Sequence, residues 1–199
     1  MGCGPGYALV FGGVSMKDQQ KLIDILQNMQ NSIVQNYVIA GLRSSLVGGG
    51  NFGRVRLFEA SRFQQDSISP HSHRFDFACM VLRGTVINRI WHECNEQQGD
   101  FFEESVLVYQ GEIGHHSKRV YGRNFYGHTL HLYSEGQCYS MSHNQIHSIE
   151  FSRDAIVLFF EGPQLSSQSV VLEPVVDGKV IPTYERRDYM FRKVTQELA

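Results

Sequence analysis

The feature that most constrains this chain is the stretch from Phe52 to Phe191, where short apolar or alternating runs are separated by turn residues. The stretch has no long pattern with the period of a helix, and its runs recur about every 8–12 residues, as in β-sandwiches and β-barrels. We therefore predict an all-β domain. The candidate strands are 53–60, 75–82, 84–92, 105–110, 128–134, 137–141, 146–151, 155–161, 169–175 and 179–184.

Two local patterns predict how the chain runs between strands. Asp177-Gly178 separates two apolar runs, and both residue types tolerate positive φ, so we predict a two-residue hairpin turn there. Residues 43–51, with the sequence RSSLVGGGN, are rich in serine and glycine and predict a loop.

Residues 16–36 predict one amphipathic helix ahead of the strands. We divide the chain into residues 1–51, a Gly-rich segment and a helix packing on the barrel, and residues 52–199, a β-barrel domain with a C-terminal strand extension. The apolar stripe of the helix consists of Leu22, Ile25, Leu26, Met29 and Ile33.

Composition excludes several classes of protein. The 199 residues carry 18 basic and 20 acidic side chains, so no basic excess exists for a dedicated nucleic-acid binder. No apolar run approaches the roughly 18 residues of a membrane helix, so no membrane partner is expected. Four cysteines without a C-x-x-C pair argue against a disulfide scaffold and a zinc ribbon. The first residues lack the pattern of a signal peptide, so we expect a cytoplasmic protein.

His71 and His73 form an H-x-H pair next to a candidate strand. Residues i and i+2 of an extended chain point to the same side, so the two imidazoles can converge on one metal ion. A second segment, from Gly136 to Phe151, contains His147 at the spacing of a further ligand.

These two segments resemble the two motifs of the cupin superfamily, G-x5-H-x-H-x3,4-E-x6-G and G-x5-P-x-G-x2-H-x3-N. The resemblance covers roughly residues 52–163 and implies a cupin double-stranded β-helix, the jelly-roll barrel, with a metal site of three histidines. In Asn144, which stands at a glycine position of the second motif, we expect left-handed turn angles. The matching residues are His71, His73, Gly84, Gly136, Ser142, Asn144 and His147.

The chain departs from the first motif at its acidic ligand, because Phe77 and Ala78 stand where the glutamate belongs. Asp76 is one residue out of register, and on an extended strand it points to the side opposite Phe77. A barrel that has lost its metal is therefore an alternative. The other departures are Gln65 for a glycine, Ser142 for a proline and Phe151 for an asparagine.

Three neutral imidazoles suit Fe(II), Zn(II), Ni(II) or Cu(II) and leave coordination positions open. A three-histidine site without the carboxylate resembles that of the thiol dioxygenases, which are cysteine dioxygenase-like cupins. The resemblance implies a mononuclear Fe(II) dioxygenase acting on a small polar substrate, either a thiol or a carboxylate.

Thr129-Leu-His131-Leu-Tyr133 has the spacing of the S-x-H-x-Y trio in those enzymes, although here it precedes the third metal histidine. On this resemblance, His131 and Tyr133 are the candidate catalytic residues, and inward packing is the alternative. Thr129 and Phe77 are candidate substrate-binding residues.

Arg54 and Arg56 alternate with apolar residues on an early strand. If the arginine face points inward, a guanidinium can hold a substrate carboxylate through a bidentate pair. The alternative is a solvated outer face.

Two other functions remain open for such a barrel. One is a non-catalytic small-ligand-binding or sensor barrel. The other is a metal-independent sugar-nucleotide isomerase, which would need a catalytic histidine paired with a carboxylate. The expected partner is a small molecule, and a homodimer is an open alternative.

Overall fold

The computed structural model describes residues 20, 23–24, 32–35, 41–50, 53–62, 69–109 and 116–181. Within these residues the chain forms twelve strands, which confirms the predicted all-β class. They are β1 (Ser32–Gln35), β2 (Leu42–Gly50), β3 (Gly53–Ala60), β4 (Phe75–Arg83), β5 (Thr85–Cys94), β6 (Asp100–Tyr109), β7 (His116–Ser134), β8 (Cys138–Met141), β9 (Ile146–Phe151), β10 (Ile156–Gln164), β11 (Gln168–Val176) and β12 (Lys179–Val180).

The strands form two antiparallel sheets of six strands each. The first has the order β1-β2-β3-β10-β4-β8, and the second has the order β12-β11-β6-β7-β5-β9. This is the architecture of a β-sandwich or jelly roll. Among the described residues, no helix is both long and apolar enough to cross a membrane.

A short segment before β4 forms backbone hydrogen bonds with both β9 and β11 of the second sheet. The backbone of His71 exchanges hydrogen bonds with His147 of β9, at 2.9 and 2.8 Å. On its other side, Ser72 N donates to Val170 O and Leu172 N donates to Pro70 O, both in contacts with β11. The segment therefore lies between β9 and β11 and brings both histidines of the H-x-H pair to the junction.

The main core lies between the sheets, where inward-facing residues of β4, β5, β8, β9 and β10 meet. The alternation along β4 shows why, since Phe77, Cys79 and Val81 are buried and point to one side, while Asp76 on the other side is exposed. Alternate burial along a strand is what one apolar face requires. Further members of this cluster are Val86, Tyr139, Met141, Phe151 and Val157.

The N-terminal helix predicted over 16–36 lies mostly outside the described residues. Its last part is different from the prediction, because residues 32–35 form β1 and pair with 43–46 of β2. Ile23, which is not part of the predicted apolar stripe, is buried in a second cluster with Val47, Leu57 and Leu82. The segment thus contributes a buried side chain from a position that the helical pattern did not single out.

The loop predicted over 43–51 is wrong, because residues 42–50 form β2 and pair with β3 from Leu42 to Gly50. Its serines were interpreted as turn residues, yet Ser44 and Ser45 are completely buried. A register shift between Leu46 and Gly48 marks a bulge or irregularity within the strand.

The long strand β7 is also longer than predicted, since 128–134 is only its C-terminal part. Its first half pairs with β6 and its second half with β5. Leu130 and Leu132 in the second half are about half exposed.

The predicted hairpin is confirmed. Asp177 and Gly178 have φ of 50° and 75° and join β11 to β12 through the pairs Val175–Val180 and Val176–Lys179. Asn144 does not have the expected left-handed angles, because among the described non-glycine residues only Asp154 and Asp177 have positive φ. The turn is joined instead by the hydroxyl of Ser142, which donates to Oδ1 of Asn144 at 2.8 Å and to Oε1 of Gln145 at 3.1 Å.

Candidate metal centre

Three histidines predicted to share one site are brought together by the segment before β4 and by β9. His71 and His73 lie in an extended segment just ahead of β4, rather than on the strand itself, and His147 lies on β9. Each offers one ligand atom, and these atoms all lie within 4.8 Å of one another. The ring centroids are 4.9, 5.0 and 5.1 Å apart, which makes a nearly equilateral triangle.

Two of the rings are held through their Nδ1 atoms. His71 Nδ1 donates to the carbonyl oxygen of Ser69 at 3.0 Å. His147 Nδ1 donates to Oδ1 of Asn88 at 2.8 Å, and Asn88 in turn donates through Nδ2 to the sulfur of Met141. Because a carbonyl or amide oxygen only accepts, both Nδ1 atoms carry the proton, and Nε2 of each ring retains its lone pair.

The remaining contact joins two of the site histidines to each other. Nε2 of His73 lies 2.9 Å from Nε2 of His147. Since Nε2 of His147 has a lone pair, His73 is the donor in this bond. A metal ion bound by both rings would take the place of that proton.

Burial keeps the three imidazoles neutral. It lowers the pKa of His73 to about 3, with a further contribution from the nearby His71. The pKa of His147 lies well below its ordinary value, because of burial and then because of His71 and His73. Burial also lowers the pKa of His71, against the opposing effect of its bond to Ser69. The neutral ring is the form that binds a metal.

The position of the missing acidic ligand is occupied by a ring. Phe77 is buried, and its ring centroid lies 4.8 Å from that of His73 and 5.4 Å from that of His147. Asp76 points the other way, as predicted, and accepts from the backbone N and from Nδ1 of His143. These bonds lower the pKa of Asp76. The three-histidine group therefore includes no carboxylate from the described part of the chain.

The histidines open onto a cavity of about 540 Å³ between the sheets. Most of its wall is aromatic or aliphatic, with Phe58, Phe75, Phe159 and Tyr139 among the residues that line it. Apolar side chains beside a charged group lower the local dielectric constant, which strengthens the electrostatic contacts of that group.

Arg54 and Arg56 of β3 both line this cavity, and the side chain of Arg54 is also about half exposed to solvent. Nε of Arg54 and Nε of Arg56 donate to the two carboxylate oxygens of Glu161, at 2.7 and 2.8 Å. The side chain of Glu161 is only 7% exposed. Arg74 also lines the cavity, with its guanidinium carbon 4.0 Å from the centre of the Tyr109 ring.

The residues of the predicted trio lie elsewhere. His131 and Thr129 are exposed on β7 and are not among the cavity-lining residues. Tyr133 is partly buried and stacks on the cavity-lining Tyr139, with ring centroids 4.3 Å apart. The structure therefore brings Arg54, Arg56 and Phe77 to the cavity of the three histidines and leaves His131 and Thr129 away from it.

Four residues of the site were missed by the sequence analysis, for identifiable reasons. Glu161 lies at the end of a correctly predicted strand and shares the inward face of Phe159, so strand alternation could have found it. Asn88 likewise shares the inward face of Val86 on β5. Ser69 and Arg74 lie in a segment without periodicity, which carried no signal.

No family model matches the chain, and no curated protein matches it. Among solved structures, KdgF from Halomonas sp. is similar with 15% identity and a TM-score of 0.33, over 62% of this chain and 81% of that chain. Hydroquinone 1,2-dioxygenase from Sphingomonas sp., with 4-hydroxybenzoate bound, has 11% identity and a TM-score of 0.35, over 60% and 64%. CENP-C from Drosophila melanogaster, bound to CAL1, has 9% identity and a TM-score of 0.40, over 73% and 97%. All three TM-scores lie below 0.5, so the functional argument rests on the geometry of the site.

Proposed function

We propose that the chain is a metal-binding cupin in which His71, His73 and His147 hold one divalent ion through their Nε2 atoms. The observation that carries this proposal is the convergence of three neutral imidazoles whose ligand atoms lie within 4.8 Å. The bonds from Nδ1 to Ser69 and Asn88 are the second contacts that metal-binding histidines commonly make.

Two of the three donor atoms have a separation that fits such an ion. Two nitrogens that are each about 2.0–2.1 Å from an ion and at a right angle to each other lie about 2.9 Å apart. The Nε2 atoms of His73 and His147 have that separation. Imidazole nitrogen suits Fe(II), Zn(II), Ni(II) and Cu(II), and three protein ligands leave room for further ones.

We further propose that the ion is Fe(II) and that the protein is a dioxygenase of a small polar substrate, a thiol or a carboxylate. A bound Fe(II) would supply the redox chemistry with dioxygen. The chain's own share is to exclude water with its aromatic wall and to orient the substrate. Arg54 and Arg56 are suited to orient a substrate carboxylate, because both line the cavity.

The isomerase alternative has less support. It requires a histidine paired with a carboxylate in the cavity. Within the described residues, the cavity contains one carboxylate, that of Glu161, and its oxygens accept from Arg54 and Arg56. The pair of His143 and Asp76 lies outside the cavity lining.

The test is metal analysis of protein purified without a polyhistidine tag or a nickel column and loaded with Fe(II) under anaerobic conditions. We expect about one iron per chain, lost in His73→Gln and in His147→Gln. His131→Gln is the matched control, because it removes an exposed imidazole outside the site. Circular dichroism of each variant separates loss of the metal from loss of the fold.

Metal at background in the wild type, or equal metal in all three variants, would contradict the proposal and favour a metal-free binding barrel. Loading with Zn(II), Ni(II) and Cu(II) in parallel identifies the preferred ion. With iron confirmed, oxygen consumption over a panel of small thiols and carboxylates tests the dioxygenase reaction.

A further inference from the structure

The wall of the cavity carries more positive than negative charge. The charged residues that line it within the described chain are Arg54, Arg56, Arg74 and Glu161, so three guanidiniums face one carboxylate and two positive charges remain. The histidines add no negative charge, and an ion held by them would add positive charge. A cavity of this sign, lined mostly by apolar side chains, favours an anionic ligand.

The guanidinium groups of Arg54 and Arg56 on β3 use only some of their N–H donors in hydrogen bonds within the protein. Arg54 and Arg56 each use Nε to bind Glu161, and Arg56 adds one contact of 3.4 Å from Nη1 to Ser44. The terminal nitrogens of Arg54 have no hydrogen-bond partner within the described residues, and its side chain is 47% exposed. The paired donors of a guanidinium match the two oxygens of a carboxylate.

Sheet register connects this cationic end of the cavity to the histidines. Arg54, Glu161 and Phe77 are direct cross-strand neighbours on β3, β10 and β4. Neighbouring strands lie about 4.8 Å apart, so the backbones of Arg54 and Phe77 are about 10 Å apart. The ring of Phe77 in turn contacts His73 and His147.

The path between the two ends is apolar. Phe159, the cross-strand neighbour of Arg56, lies with its ring 4.9 Å from Phe77 and 6.3 Å from His73. A ligand that spans from the arginines to the histidines must therefore cover aromatic rings with its middle part.

We propose that the cavity binds a small carboxylic acid with an apolar body, its carboxylate on Arg54 and Arg56 and its body along Phe159 and Phe77. This inference deepens the proposed function, since the end of the ligand opposite the carboxylate would lie at the three histidines. Binding of the acid itself rests on the arginines and does not require the ion.

The test compares 3-phenylpropionate with 3-phenylpropan-1-ol, which has the same apolar body and no charge. Calorimetric titration uses the full-length chain, both stripped of metal with a chelator and loaded with Fe(II). We expect the acid to bind the stripped protein at least about tenfold more tightly than the alcohol, as expected for a charge-assisted pair in a partly buried site.

Arg54→Gln is the diagnostic variant, because Glu161 keeps its pair with Arg56 and no buried charge is left alone. We expect it to weaken binding of the acid about tenfold and to leave binding of the alcohol unchanged. Arg54→Lys should restore part of the loss. Arg119→Gln, which removes an exposed guanidinium on β7, is the matched control and should change neither.

Glu161→Gln tests whether positive charge in the cavity favours binding of the acid, because it increases that charge. Among the described residues it removes the single carboxylate of the cavity lining, so binding of the acid should become tighter, a gain that damage to the fold would not produce.

Equal affinity for acid and alcohol, no binding of the acid at millimolar concentration, or equal effects of Arg54→Gln and Arg119→Gln would each overturn the proposal. The two proposals fail separately. Acid selectivity in a chain that takes up no metal would contradict the metal centre alone, and metal uptake without acid selectivity would contradict the carboxylate site alone.

Discussion

Asn88 is the residue through which the fold orients His147, the most buried of the three site histidines. Its side chain is 1% exposed, its Oδ1 accepts from Nδ1 of His147, and its Nδ2 donates to Met141. An acceptor at Nδ1 holds the ring in the tautomer that presents Nε2 to an ion. Asn88 is thus a positioning residue rather than a ligand.

We predict that Asn88→Leu weakens metal binding about 10- to 100-fold, because loss of a second contact to a metal-binding histidine has effects of that size. Asn88→Asp keeps an acceptor in the same position and should retain the affinity. The measurement is competition with a chromophoric chelator. Equal affinity of Asn88→Leu and Asn88→Asp at equal thermal stability would show that Asn88 does not orient His147.

For single residues, the sequence predicts those site positions that depend on the local geometry of the chain. His71 and His73 could be paired because residues two apart share one side of an extended chain, and His147 followed from motif spacing. Asn88 and Glu161 could not be assigned their partners, because those contacts depend on which strands become neighbours. The alternation of Arg54 and Arg56 with apolar residues indicated two faces of one strand, but it did not indicate which face points inward.

The backbones of β3 and β10 approach each other closely at the start of β3. Gly53, at the start of β3, has a φ of +119°, and a Cβ there would lie 1.8 Å from the carbonyl oxygen of Glu161. Neither the backbone angle nor the space admits a side chain. The close approach brings the backbone of β3 to the residue that binds both arginines.

We predict that Gly53→Ala lowers the free energy of unfolding by at least about 2 kcal/mol, from positive-φ strain and the clash together. Gly122→Ala is the control, because Gly122 lies in β7 with nothing within 4 Å of its Cβ position. That change should leave stability unchanged or raise it by up to about 1 kcal/mol. Urea unfolding measures both, and equal losses would contradict the assignment of strain to Gly53.

Strand positions were more predictable than strand partners. Alternating apolar residues identified β3, β4, β5, β9, β10 and β11 closely, because burial of one face leaves a period of two in the sequence. β2 was missed because its serines and glycines are also turn residues, and the first half of β7 because both its faces are exposed. The order of strands in the sheets was not predicted, since it depends on contacts between distant segments.

The core of the whole molecule contains ionisable groups that are kept neutral. Burial raises the pKa of the Cys79 thiol to about 12, and it also raises the pKa of the neighbouring Tyr139. In the unfolded chain a cysteine ionises near pH 8.5–9. Above that pH the unfolded state loses a proton that the folded state retains, so the free energy of unfolding falls as the pH rises from 9 towards 12.

We predict that Cys79→Ala flattens this alkaline decline by up to about 1.4 kcal/mol per pH unit, the value for one proton. It will also lower stability by a constant amount at neutral pH, because it removes a buried side chain. Cys94→Ala, which removes a thiol outside the core clusters, is the control. Urea unfolding between pH 8 and pH 10.5 gives the slopes, and parallel curves for wild type and Cys79→Ala would contradict the prediction.

β10 lies between β3 and β4 in the sheet but follows both of them in sequence, so this part of the sheet can form only after β10 has been synthesised. Arg54 and Glu161 are neighbours in the sheet but 107 residues apart in sequence. At about 5–20 residues per second, β3 and β4 wait about 5–20 s for the strand that pairs with both. During that interval Phe58 and Phe77 lack Phe159, an aromatic ring that both of them contact in the folded chain. The triangle of histidines is incomplete until residue 147 has been synthesised, so the proposed ion can be bound by all three imidazoles only after that point.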